Sequence, residues 1–285
     1  MTATDHKRAL LIAGPTASGK SALALEKAMG LNGVVINADA LQVYSSLRIL
    51  SARPTPEDEA RAPHRLYGHV GAEQAYSVAS WLAEARREME AAWEQGQLPI
   101  LTGGTGLYFR ALELGLAPVP EIPDEVRSHW RSFAGDLHAE LSSRDAAMAA
   151  KLLPTDRQRL SRALEVVDAT GRSLLDWQRD GQDQAPLARV TVERIFIDLP
   201  REELYARAEA RFDSMLGAGA LDEARAMAHL DPMLPAMKAI GLPELVAHLR
   251  GDMTLEEAGV RSKTATRNFI KRQLTWWRGQ LPDWQ

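Results

Sequence analysis

Gly14-Pro15-Thr16-Ala17-Ser18-Gly19-Lys20-Ser21 fits the spacing G-x-x-x-x-G-K-[ST], the loop that wraps backbone N–H groups around a polyphosphate and aims a lysine at it. The chemistry this predicts is capture of a diphosphate or triphosphate. A second candidate is Asp39, at the end of Val34–Ile36-Asn37-Ala38. If that run is a strand, the carboxylate sits at the sheet edge where ligands of open α/β folds collect, a fitting place for a general base. A turn or helix-capping aspartate is the alternative. Arg207 and Arg211 stand four residues apart, one helical turn, and could clamp a phosphate between them. They could equally pair with Glu203 and Asp213 on a solvated face.

The elements that must hold these residues follow from the apolar runs. Ala9–Ala13, Val34–Ile36 and Pro99–Leu101 read as buried strands, and Ser21–Met29 as a helix directly after the phosphate loop, so that its positive end meets the anion. Strands alternating with helices predict a parallel sheet with crossover helices. The expected fold class is therefore α/β: a P-loop parallel sheet flanked by helices, with an all-helical insertion domain. A proline-rich break at Ala117–Pro123 and a polar break at Asp180–Arg189 bound a stretch that reads as helices only, after which Val190–Ile197 looks like a returning strand. This assigns residues 1–116 and 190–285 to the catalytic core and 117–189 to the insertion.

In most P-loop nucleoside triphosphatases, a strand such as Leu98–Thr102 is followed by a Mg²⁺-binding aspartate. Here the chain continues Gly103-Gly104-Thr105-Gly106-Leu107-Tyr108, offering close backbone approach and a hydroxyl in place of a carboxylate. No Asn-Lys-x-Asp guanine-reading tetrapeptide occurs. Both features point to a diphosphate that departs intact rather than to cleavage of a nucleotide's γ-phosphate.

Composition narrows the classes. The chain has 285 residues, no cysteine, 25% charged residues and a net charge of −4. Disulfides, thiolate zinc sites and cysteine nucleophiles are excluded, and a reducing cytosol is compatible. The first apolar run is too short for a signal peptide or a membrane span, so a cytoplasmic protein with no membrane partner is expected. The acidic balance argues against coating nucleic acid by bulk charge; any such partner must meet a local patch. Two patches exist: Arg261–Gln285, with six basic residues against Asp283, and Lys151–Arg162, with four against Asp156. In the first, Lys263, Arg267 and Lys271 form one stripe and Trp276-Trp277 follow, suited either to an RNA backbone with stacking nearby or to a solvated helix with tryptophans in the core. Nothing in the sequence demands more than a monomer.

Taken in order, Gly14–Ser21, Asn37-Ala-Asp-Ala-Leu-Gln-Val-Tyr44, Ala62-Pro-His-Arg-Leu66, Thr102–Tyr108, Gln158-Arg-Leu-Ser-Arg-Ala-Leu-Glu-Val166, Arg211-Phe212 and Lys271-Arg-Gln-Leu-Thr-Trp276 resemble the bacterial tRNA dimethylallyltransferases over nearly the whole chain. The resemblance implies transfer of a dimethylallyl group from dimethylallyl diphosphate to N6 of the adenosine 3′-adjacent to the anticodon, releasing diphosphate. It implies that Gly14, Pro15, Thr16, Ala17, Ser18, Gly19, Lys20 and Ser21 hold the diphosphate, with the Ser21 hydroxyl directing Mg²⁺ as cofactor. Arg211 supports the leaving group together with Lys20, and Asp39 is the base. The tRNA anticodon stem-loop is the partner implied for Asp39, Ala40, Leu41, Gln42, Thr105, Arg127, Gln158, Arg159, Leu160, Ser161 and Arg162. Three places depart from the family pattern: Ala40 stands where many members carry serine, Leu242-Pro243 where tyrosine follows Ile-Gly, and Leu50-Ser51-Ala52-Arg53-Pro54 where Gly-Thr-Ala-Lys-Pro is usual. The zinc-finger extension of eukaryotic relatives is also not seen, so a bacterial-type enzyme is expected. Two rival readings are a small-molecule or nucleotide kinase and a non-catalytic RNA-binding module with a degenerate P-loop.

Overall fold

A computed structural model describes residues 7–182 and 185–284. The chain forms two compact units, Met1–Arg110 with Arg189–Gln285, and Ala111–Ala188.

In the first unit, β1 (Arg8–Ala13) leads through the phosphate loop into α1 (Lys20–Gly30), and β2 (Gly33–Asn37) follows. Then come α2 (Pro56–Arg61), β3 (His64–Arg65), α3 (Val78–Glu94), β4 (Leu98–Gly103) and α4 (Gly106–Leu114), whose last residues already belong to the second unit. The five-stranded sheet is completed by β5 (Thr191–Phe196), which follows the second unit in sequence, and runs β3-β2-β4-β1-β5 with every pair parallel. All four strands expected from apolar runs form. The fifth, β3, is two residues of a Pro-His-Arg-Leu stretch, too short and too polar to register as a strand pattern. Strands β1, β2 and β4 are almost wholly buried, as continuous apolar runs covered on both faces should be.

The register sets up the site. Ala13 pairs with Gly103 and Asn37 with Thr102, so the loops after β1, β2 and β4 leave the sheet at one level and one edge.

After β5 the first unit is helical: α10 (Arg201–Gly217), α11 (Ala220–Met227), α12 (Leu242–Leu249) and α13 (Leu255–Gln280). These helices and the segment after β2 share a core of Val43, Tyr44, Leu47, Phe212, Met227, Leu242 and Leu245, among others. Leu242, standing where the family pattern has tyrosine, is fully buried in it. Thr254 and Glu257 close a capping box at the start of α13, satisfying two otherwise orphaned donors.

The second unit contains α5 (Asp124–Ser132), α6 (Leu137–Arg144), α7 (Ala146–Ala149), α8 (Arg157–Thr170) and α9 (Leu174–Gln182) around Trp130, Leu141, Leu160 and Leu164. No helix among the described residues is long and apolar enough to cross a membrane.

Candidate active site

The phosphate loop turns into α1 through Gly19 in the left-handed region, φ 91°, and no side chain caps the helix start. Its first N–H groups, which no α-helix can satisfy internally, stay available to an anion. Lys20 is half-buried and donates to Pro15 O at 3.2 Å. Burial pushes its ammonium down to about 8, against the pull of Asp39 and with the help of Arg211. Arg211 reaches from α10 to the Thr16 hydroxyl, and its affinity for a proton is likewise lowered by burial and partly restored by Asp39. A pocket of about 300 Å³ opens between Ala17, Gly19, Lys20, Ser21, Arg207 and Arg211. The two arginines expected together thus divide: Arg211 serves the loop, while Arg207 lines the rim and pairs with Glu203. Asp213 takes Lys263 instead.

Asp39 follows β2 directly and is held through its neighbours. The buried Asn37 side chain donates to Asp39 O at 2.9 Å and Leu66 O at 3.0 Å, and accepts from Asp39 N at 2.8 Å. Trp81 Nε1 donates to Asn37 O at 2.7 Å, and its ring stacks on Tyr108 at 4.1 Å. Asp39 Oδ1 accepts from Leu41 N at 3.0 Å, so the turn role is met by one oxygen and is compatible with a ligand at Oδ2. Burial, reinforced by the Asp39 charge, raises the Tyr67 and Tyr108 phenols, which therefore stay neutral.

The glycines at the end of β4 owe their identity to close approach. A Cβ at Gly103 would lie 2.0 Å from Ala38 O, and one at Gly104 would lie 2.5 Å from Gln273 Nε2. Thr105 Oγ1 accepts from Ala40 N at 3.0 Å. Gln42 spans the next loop by donating to Ser51 O and Ala52 O.

A larger pocket, about 510 Å³, lies beside the phosphate loop, with Ser21, Leu25, Met29, Arg53, Tyr67 and Thr102 in its wall. Ser18 Oγ and Thr102 Oγ1 are buried hydroxyls with no partner among the described residues. No group of three or more histidine, aspartate or glutamate side chains among those residues could hold a metal.

The residues expected at RNA outside this site behave less uniformly. In the second unit, Gln158, Arg159 and Arg162 are exposed on α8, and Arg162 and Arg131 both pair with buried Glu165, at 3.2 and 3.1 Å. Arg131, Arg157, Gln158, Ser161, Arg162 and Glu165 surround a pocket of about 430 Å³. Leu160 is a wholly buried core residue, because the helix turns its side chain inward. Ser161 is also buried, its hydroxyl donating to Trp130 O. Arg127 is tied to Asp124 and Ile122 O at the start of α5.

The basic stripe of α13 is partly neutralised, since Lys263 pairs with Asp213 and Arg267 with Glu209 on α10. The core account holds for Trp277, packed among Phe109, Phe196 and Trp284.

A family model described as IPP transferase matches residues 42–280, and one described as isopentenyl transferase matches residues 7–74. The chain belongs to the IPP transferase family. A tRNA dimethylallyltransferase of Nitrobacter hamburgensis is 56% identical over 97% of this chain and 89% of its own length, and one of Methylobacterium nodulans is 53% identical over 98% and 94%. The crystal structure of the full-length tRNA isopentenylpyrophosphate transferase of Bacillus halodurans superposes with a TM-score of 0.70 at 32% identity, covering 96% of this chain and 88% of that one. A eukaryotic dimethylallyltransferase acting on tRNA gives a TM-score of 0.82 at 26% identity, over 95% and 70%.

Within this IPP transferase fold, several residues of the site went unread in the sequence. Asn37 and Trp81 hold the Asp39 turn. Glu223 on α11 accepts from the N–H groups of Arg48, Ile49 and Leu50 at 2.8–2.9 Å, bracing the segment that carries Ala52 to the rim of both pockets. Gln273 meets Thr16 N and Gly104 O. Asn37 and Gln273 lie inside motifs that could have singled them out; Glu223 left no such signal.

Proposed function

We propose that this chain transfers a dimethylallyl group from dimethylallyl diphosphate to N6 of the adenosine 3′-adjacent to the anticodon in tRNA, releasing diphosphate. The observation that carries the reading is that Asp39 shares one electrostatic neighbourhood with Lys20 and Arg211: an anionic base beside a cationic cradle, with no second carboxylate at the end of β4.

An adenine amine is a weak nucleophile, because its lone pair is delocalised into the ring. A carboxylate bonded to N6 orients that lone pair and accepts the proton as the N–C bond forms, the role assigned to Asp39 Oδ2. As the allylic C–O bond breaks, charge grows on the diphosphate. Lys20, Arg211 and the free N–H groups at the start of α1 stabilise it there, which lowers the barrier. Binding in a walled pocket keeps water from the allylic carbon.

Mg²⁺ fits this end of the cradle. Ser21 and Thr102 face one pocket, the buried Thr102 hydroxyl has no protein partner among the described residues, and the lack of a carboxylate cluster among them suits a hard cation held mostly by phosphate oxygens and water. When bound, the ion would neutralise diphosphate charge, with Ser21 as its protein ligand.

A stacked anticodon-loop base cannot reach such a site, so the adenosine is flipped out, costing a few kcal/mol of unstacking. Asp39–Gln42 and Thr105 are assigned to the RNA at the site, and Gln158, Arg159 and Arg162, with Arg127, to the RNA on the helical unit. This reading places the protein in the cytoplasm with its tRNA.

The test is incubation with labelled dimethylallyl diphosphate, Mg²⁺ and unmodified tRNA. Label in RNA without ATP turnover is expected; ATP turnover without it would favour a kinase. Asp39→Ala is expected to lower single-turnover transfer by about 10²–10⁴-fold while tRNA affinity holds, and a wild-type rate in that variant would remove the base assignment.

A further inference from the structure

Gln273 is buried, 5% exposed, on the long helix α13, far in sequence from both loops it touches. Its Oε1 accepts from Thr16 N at 2.9 Å and its Nε2 donates to Gly104 O at 2.9 Å. One amide therefore bridges the phosphate loop to the loop after β4, which in turn holds the Asp39 turn through Thr105. On one side Thr16 belongs to the phosphate loop, and its hydroxyl receives Arg211. On the other, Gly104 precedes Thr105, which binds Ala40 N, and a Cβ at Gly104 would stand 3.5 Å from Asp39 Oδ2.

A glutamine is well suited to this place. It offers one acceptor and one donor at the end of a neutral side chain, so it can join an N–H to a carbonyl without adding charge between a carboxylate and a cationic cradle. The bond to Gly104 O is buried and the bond from Thr16 N partly so, and losing a buried bond leaves a polar group unpaired.

We propose that Gln273 is a positioning residue that sets the separation between the leaving-group cradle and the base. The inference rests on the transfer reading above. Gln273 touches neither reacting partner; it acts through Thr16 and Gly104. Displacement of a reacting group by about 1 Å costs on the order of 10²-fold in rate, so the expected loss lies in the chemical step.

The test is Gln273→Met, which keeps the side chain's bulk and removes both hydrogen bonds. Single-turnover transfer at saturating substrates is expected to fall by about 10²-fold. The KM for dimethylallyl diphosphate, the affinity for inorganic diphosphate and the affinity for tRNA should all stay within about threefold, since none of the groups assigned to bind them is removed. Hydrogen exchange at the Thr16 amide should quicken. A residue that only stabilises the fold would lower the melting temperature and leave folded protein with wild-type kcat, which would overturn the proposal, as would a loss expressed wholly in KM.

Gly104→Ala strains the same joint from the other side and tests the idea should Gln273→Met fail to fold; wild-type kcat there is equally fatal. Where both fold, the double variant should lose no more than either single one, and fully additive losses would count against a shared joint. A wild-type protein that transfers no prenyl group overturns the functional reading. A wild-type protein that does, matched by an equally fast Gln273→Met, overturns only the role of Gln273.

Discussion

At the phosphate loop, Lys20 and Arg211 bond to uncharged oxygens, those of Pro15 and Thr16, and no carboxylate among the described residues lies within ion-pair distance of either. In the helical unit, Arg162 on α8 and Arg131 on α5 close instead on Glu165, itself only 2% exposed. The first arrangement leaves positive charge unspent in a desolvated place, and the depressed ammonium of Lys20 is the mark of that cost. The second spends its charge on holding two guanidinium groups in fixed directions. A cradle for a departing diphosphate needs the former; a surface that grips a fixed polyanion through shape can use the latter.

The comparison can be broken at either end. The largest effect is expected at Arg211: substitution by alanine should slow transfer by about 10²–10³-fold, the usual loss for one donor to developing charge, with tRNA affinity unchanged in a filter-binding assay. A tRNA-binding defect with normal transfer would reverse the assignment of the two clusters. Glu165→Gln should cost roughly 1.5–3 kcal/mol of stability, the range for hydrogen bonds to charged groups, read as a lowered denaturant midpoint, with single-turnover chemistry little changed once tRNA is saturating. Normal stability would mean that the buried carboxylate does not hold the arginines.

The smallest and sharpest test is pH. With Lys20 near 8, its charge is present below that pH and lost above it, so affinity for inorganic diphosphate should fall as pH rises from 7 to 9, by about tenfold more than in Lys20→Arg, whose guanidinium stays charged. Parallel profiles for the two proteins would show that the ammonium is not drawn down as described.

Local pattern made part of this molecule legible. Four of five strands announced themselves as apolar runs, and the phosphate loop and Asp39 sat at strand ends that the pattern located. What stayed hidden was joined across long stretches of chain. Gln273 and Thr16 stand at opposite ends of the sequence, and although a motif contains the glutamine, no local pattern shows that it is buried against the phosphate loop. The same limit explains the basic stripe of α13, whose partners Asp213 and Glu209 lie on α10, where no count of charge along one helix could find them. Leu160 shows the converse: a motif read as a unit assigns RNA contact to all its members, whereas helical geometry turns some of them into the core.

The two margins of the sheet differ from its interior, and the difference bears on how the protein survives crowding. One margin, β3, is a two-residue strand; the other, β5, has no fully buried residue and exposes Glu193 and Arg194. Short or charged borders of this kind deny a neighbouring chain the flat ladder it would need to add itself strand by strand. The apolar strands β2, β4 and β1 are thereby confined to the middle, out of reach of intermolecular polymerisation.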